Sequence, residues 1–263
     1  MAIDVQGTRV ECAGAQGPVV LMVHGWPDTL ALWDGTVAAL QERFRCARLT
    51  LPGFEDGPQA VSLDAMCSLL LAVAEQLSPD QPIVLLLHDW GCVFGYEFAT
   101  RHPQRVSRVI ALDVGDHNAA ALRREWRVRD ALAVFVYQVW LALAWKIGGT
   151  LGTRMTRAMA RWLGCPAAPA GITHRMNYPY AMQWLGVAGG LARAAPVQLS
   201  MPMMFVYGKR KPFMFHSRRW LAHLEAQPTN AVLGLPCGHW VMLDQPTQLH
   251  AAMLQWLAPS TAP

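Results

Sequence analysis

Short, unbroken apolar runs alternate with segments of helical period through the first 115 residues. Thr8–Cys12 and Val19–Val23 read as strands, Trp33–Arg43 as a helix, and Phe44–Leu49 as a strand that stops before Pro52-Gly53. Leu63–Leu77 has helical period and ends at Ser78-Pro79. Ile83–Leu87 is a continuous apolar strand, Gly91–Arg101 a helix ending before Pro103, and Val106–Leu112 another strand. Strands apolar on both faces, separated by helices, predict a mostly parallel sheet covered on both sides.

After residue 115 the pattern changes. From Asp116 to about Gln198 the chain is helical in character and rich in Ala, Trp and Arg, with no clear strand. Strand-like runs return at Met203–Tyr207 and Ala231–Leu235, with helical segments at His216–Ala226 and Pro246–Trp256. The expected organisation is an α/β core of residues 1–115 and 200–263, with residues 116–199 as a helical cap over a site. Ala131–Trp145 within it is apolar but for Gln138. At about 15 residues it falls short of the roughly 20 that span a bilayer. A buried or lid helix is the expectation. The cluster Arg123, Arg124, Arg127 and Arg129 before it leaves open a helix resting on a membrane surface.

Composition narrows the classes. With 53% hydrophobic and 15% charged residues in 263, the chain folds around a substantial core. The formal charge of +4 is not gathered into a Lys/Arg run, so nucleic acid is not an expected partner. Six cysteines (12, 46, 67, 92, 165 and 237) form no Cys-x-x-Cys pair, so no metal site is expected. The start Met1-Ala2-Ile3-Asp4 lacks a basic-then-apolar pattern. A cytoplasmic setting with free thiols is the expectation.

Chemistry concentrates at Leu87-His88-Asp89-Trp90-Gly91-Cys92. Here a polar residue stands on the turn between a buried strand and a helix, the context of a nucleophile elbow. Small residues at 91 and 92 suit a tight turn, although Leu87 stands where a glycine is often found. On its own, Asp89 reads equally as a helix cap. His24-Gly25-Trp26-Pro27 follows the strand at Val19–Val23 and can present the Trp26 N–H to an oxyanion, with Trp90 N–H as a second donor. Cys237-Gly238-His239-Trp240 follows the last strand, where a catalytic histidine belongs in this chain order.

Through His24-Gly25-Trp26-Pro27, His88-Asp89-Trp90-Gly91 and Gly238-His239, the sequence resembles the α/β-hydrolase superfamily over nearly its whole length. Within it, the chain is similar to the epoxide hydrolase and haloalkane dehalogenase branch. The resemblance implies a sheet of about eight strands, a helical cap after the sixth, and a cofactor-independent hydrolase. An aspartate suits attack on an sp³ carbon, because it leaves an ester that water can cleave; a serine would leave a stable ether. Asp89, ionised at neutral pH, needs no base for attack, and His239 would activate water for the second step.

The acid that orients His239 is less plain. Relatives often carry it after the seventh strand, where this chain reads Tyr207-Gly208-Lys209-Arg210-Lys211-Pro212, with lysine at the expected position. Others carry it after the sixth, where Asp113 is the first choice here and Asp116 the second. Relatives that open epoxides hold the oxygen with two cap tyrosines. Tyr180, then Tyr178, is expected as one and Tyr137, more weakly, as the other; Trp90 is a further substrate contact. Many dehalogenases place Asn where Trp26 stands, so an epoxide is favoured and a halide is the alternative. A ligand-binding protein without turnover is a third possibility. The expected partner is a small hydrophobic organic substrate, and a homodimer is possible.

Overall fold

The computed structural model describes residues 1–54 and 60–258; positions 55–59 and 259–263 of the expected core lie outside the described residues. Eight strands form one sheet: β1 (Ala2–Val5), β2 (Thr8–Ala13), β3 (Val19–Val23), β4 (Arg45–Leu49), β5 (Ile83–His88), β6 (Val106–Leu112), β7 (Met203–Gly208) and β8 (Ala231–Leu235). Their order is β1-β2-β4-β3-β5-β6-β7-β8. β1, β2 and β4 pair antiparallel, and all pairings from β4 to β8 are parallel. The expected mostly parallel α/β sheet of about eight strands is confirmed. β1 was not visible in the sequence: four residues at the sheet edge give too short an alternation.

Helices α1 (Asp34–Leu40), α2 (Leu63–Leu77) and α3 (Trp90–Arg101) fill the first crossovers; α8 (Arg218–Glu225) joins β7 to β8, and α9 (Val241–Asp244) and α10 (Pro246–Leu257) follow β8. The helix expected over Trp33–Arg43 is shorter, because Leu30–Trp33 is a 3-10 turn. Strand alternation divides the core. Val19, Leu21 and Val23 of β3 join Leu85 and Leu87 of β5 in one cluster, with α2 and α3. Val20, Met22, Val84 and Leu86 join α1 and α10 in the other. Apolar contacts on both faces explain why these strands read as unbroken hydrophobic runs.

Between β6 and β7 lie α4 (Ala120–Glu125), α5 (Val128–Ile147), α6 (Gly149–Trp162) and α7 (Tyr178–Leu185). Helix α5 has 20 residues, longer than the expected apolar stretch, and is the one helix among the described residues long and apolar enough to cross a membrane. Its inner side is packed: Leu141, Ala142 and Ala144 are fully buried. The expectation that its apolar surface is covered fails on the outer side, where Leu132, Val136 and Leu143 remain exposed.

Candidate active site

The site sits at the C-terminal ends of β3, β5 and β6 and the loop after β8, where a parallel sheet opens its crevice. Asp89 joins β5 to α3 with φ 53° and ψ −122°, a backbone conformation strained for a residue with a side chain. The strain holds because neighbours fix the turn. A Cβ on Gly91 would strike the Val23 and His24 carbonyls, and one on Gly25 would strike Asp89 itself. These two glycines let the loop after β3 pass directly against the elbow. The Trp26 N–H donates to Asp89 Oδ1 at 2.7 Å, and the Trp90 N–H also favours the charged carboxylate.

His239 faces the other carboxylate oxygen, with Nε2 3.6 Å from Asp89 Oδ2. Its Nδ1 makes a short hydrogen bond to Asp113 Oδ2. Asp113 follows β6 at φ 73°, fully buried. Its Oδ1 accepts from the Gly208 N–H at 3.0 Å and pairs with Lys211 Nζ at 2.6 Å. The lysine that displaces the usual acid is thus itself buried against the acid on the neighbouring strand. Asp116 lies elsewhere: its carboxylate accepts from Ser217 N–H and Oγ–H, both at 2.7 Å, and holds the start of α8. As a second choice for the His239 partner it is corrected.

Burial pushes the Asp89 carboxyl up, but hydrogen bonding and charge from His239 outweigh it, so Asp89 stays below the ordinary carboxylate range. Burial likewise raises Asp113, and Lys211 and His239 reverse it well below the usual value. For His239, burial disfavours the cation, yet Asp113 and then Asp89 lift it to about 9. Two anions and two cations therefore alternate: Asp89, His239, Asp113, Lys211.

A cavity of about 780 Å³ opens above Asp89, lined by Trp26, Tyr137, Trp162, Tyr180, Phe213 and His239 among others. A second arm of about 410 Å³ shares Asp89, Tyr137 and Tyr180 and adds Trp90 and His117. Tyr180 packs edge-on to Trp26 and Trp90, with centroids at 5.7 and 5.1 Å, and its hydroxyl is held well above its usual pKa by burial and then by Asp89. Tyr137, the weaker expectation, lines both arms; its hydroxyl accepts from Gln138 Nε2 at 3.1 Å. Tyr178 does not line either arm. Its ring stacks on Phe94 under the insertion, and its hydroxyl is buried without a partner. Its place second to Tyr180 is corrected in favour of Tyr137.

Asn177 was missed in the sequence. It accepts from Trp26 Nε1 and donates to Thr156 Oγ1, each at 2.7 Å, tying the loop after β3 to α6. No pattern of residue types marks a single amide that bridges two segments 151 positions apart. Among the described residues no cluster of metal-ligating side chains occurs.

The family model for the alpha/beta hydrolase fold matches residues 18–144. "Probable oxidoreductase EphD" of Mycobacterium tuberculosis is 38% identical over 130 residues, which are 44% of this chain and 22% of that protein. The chain thus spans about a fifth of that relative. "Epoxide hydrolase A" of M. tuberculosis is 22% identical over 97% of this chain and 96% of its own length. An epoxide hydrolase of Bacillus megaterium, solved with an inhibitor, superposes with a TM-score of 0.70 at 19% identity, covering 98% of this chain and 99% of that one. The chain has the α/β-hydrolase fold.

Proposed function

We propose that the protein is a cofactor-independent epoxide hydrolase that works through an ester on Asp89. The supporting observation is a strained, ionised carboxylate with one oxygen held by the Trp26 N–H and the other facing His239. In this reading Oδ2 attacks the epoxide carbon, the C–O bond breaks, and the ring oxygen takes a proton from Tyr180, with Tyr137 beside it. Tyrosine suits this step because its high pKa keeps a proton available for an alkoxide. Oδ1 becomes the ester carbonyl and already accepts from the Trp26 N–H, which with the Trp90 N–H would stabilise its oxyanion.

Esterification removes the Asp89 charge, and with it part of what holds His239 protonated. His239 thereby becomes a better base in the intermediate than in the free enzyme. It then takes a proton from water, and the resulting hydroxide adds to the Asp89 carboxyl carbon. On collapse His239 gives that proton to the departing oxygen, the diol leaves, and the proton of the Asp89 carboxyl so formed restores Tyr180. The insertion serves as a cap, and the apolar cavity walls favour a small hydrophobic substrate. Six unpaired thiols support a cytoplasmic setting.

A single turnover in oxygen-18 water tests the nucleophile. The label is expected in the Asp89 carboxylate; label in the diol alone would overturn covalent catalysis. Tyr180→Phe is expected to slow epoxide opening by about 10²-fold or more. Unchanged diol formation in that variant would overturn Tyr180 as the proton donor, and halide release from a haloalkane with no diol from any epoxide would favour the dehalogenase.

A further inference from the structure

Helix α5 has two apolar sides and the fold covers one. On the other, Leu132, Phe135, Val136, Trp140, Leu143 and Ile147 are each between 40% and 58% exposed. Their spacing of three and four residues places them in one stripe along the whole helix. The stripe continues sideways. Phe135 meets Trp184 of α7 edge-on at 5.0 Å, and Trp140 donates to the Met155 carbonyl of α6, which also exposes Leu151 and Trp162. A contiguous apolar surface built from three helices is more than scattered exposed residues, and marks a docking face.

Charge identifies the occupant. Residues 116–199 contain ten Arg and Lys against three Asp and Glu; the rest of the chain contains twelve against fifteen. At about 100° per residue, Arg129 and Lys146 fall within the exposed sector of α5, one at each end of the stripe. Both are exposed, and Arg129 pairs with its neighbour Asp130. Arg154 and Arg161 are exposed on α6 beside Leu151 and Trp162. Apolar residues bordered by cations fit acyl chains beneath anionic headgroups. A second copy fits less well, because a two-fold contact between these faces sets the cations of one insertion against those of the other. Nor does α5 span the bilayer: its inner side places Tyr137 in the cavity and packs on α6 and α7.

We infer that the helical insertion docks on an anionic lipid surface through the outer stripe of α5. Arg129, Ala133 and Trp162 also wall the larger cavity, so its mouth borders the docked face. An apolar substrate dissolved in the lipid then reaches Asp89 without crossing bulk water. Docking itself stands independently of the epoxide reading.

The test is flotation of the full chain with vesicles of phosphatidylcholine, alone or mixed with phosphatidylglycerol, read without turnover. Binding to the mixed vesicles is expected, at least tenfold weaker on phosphatidylcholine alone, and weakening with salt because headgroup attraction is screened. The double variant Val136→Glu and Leu143→Glu, at exposed positions outside the cavity walls, should lose the binding and keep the wild-type unfolding temperature. For the unaltered protein, brominated lipid in the mixed vesicles should quench tryptophan fluorescence, reporting Trp140, Trp162 and Trp184. Absence of flotation and quenching would overturn the inference. So would flotation unaffected by the double variant, or a dimer in sedimentation that the double variant splits.

Discussion

At the residue scale, the departure from the pattern the sequence resembles is Lys211, and the structure gives it a partner. A lysine in place of an acid reads in isolation as a broken triad. Beside a buried Asp113 it is a counter-ion, and the Lys211–Asp113–His239 chain carries alternating charge. Lys211 and Asp113 are both buried, so removing one leaves the other uncompensated. Lys211→Met is expected to lower stability by roughly 3–5 kcal/mol in chemical denaturation. It should also move the pH profile. Loss of a cation two groups away raises the pKa of His239, so the acid limb of ester hydrolysis should shift to higher pH. A stability loss with an unmoved limb would leave Lys211 a purely structural counter-ion. The sequence placed Asp89, His239 and Asp113 because each follows a strand end, where chain order alone assigns a position. It ranked the tyrosines poorly because that choice depends on helix phase: Tyr178 and Tyr180 are two positions apart and face different surroundings.

At the scale of elements, the turn between β5 and α3 couples local backbone to packing across the sheet. Seven of the eight strands were legible, most plainly β3 and β5, because a strand buried on both faces leaves a continuous apolar run. β1, exposed at the edge, left none. The outer face of α5 was not legible either, since apolar residues on a helix carry no mark of whether a partner covers them. Glycines show the same limit: Gly35 and Gly91 look alike in sequence, yet a Cβ on Gly35 meets nothing within 4 Å, and one on Gly91 meets the backbone of β3. Gly91→Ala is therefore expected to destabilise by about 1–3 kcal/mol or more and to displace Asp89. Gly35→Ala, exposed within α1, should stabilise by roughly 0.5–1 kcal/mol through the unfolded chain. Thermal unfolding of the two variants, with opposite signs, checks the contrast; equal shifts would contradict it.

For the whole molecule, buried titratable groups set the pH range in which the fold persists. Burial lowers His24, His117 and His216 from 6.5 to about 4 and His88 to about 3. In the unfolded chain these rings take up protons first, so the folded state loses stability as pH falls from 6.5 toward 4. His239 has the opposite sign. Raised to about 9, it contributes fully below 6.5, and that contribution is lost as pH rises through 9. Asp28 opposes the buried histidines: it sits against Trp240 Nε1 at 3.0 Å, and burial pushes its carboxyl up from 3.8 to about 7. The folded state thus keeps a proton the unfolded chain has lost, and this contribution falls as pH rises from about 4 to 7 and is level above. Four groups thus oppose folding as pH falls below 6.5, with Asp28 offsetting part of their effect, and His239 opposes it as pH rises above 6.5. The unfolding temperature is expected to peak between about pH 6 and 7 and to fall more steeply on the acid side. Asp28→Asn keeps the shape of the carboxyl and cannot ionise, so it should steepen the fall on the acid side between pH 7 and 4 while leaving the alkaline side above pH 8 unchanged. A scan of unfolding temperature from pH 4 to 10 decides the matter. An acid side no steeper in the variant would show that Asp28 does not keep its proton in the fold.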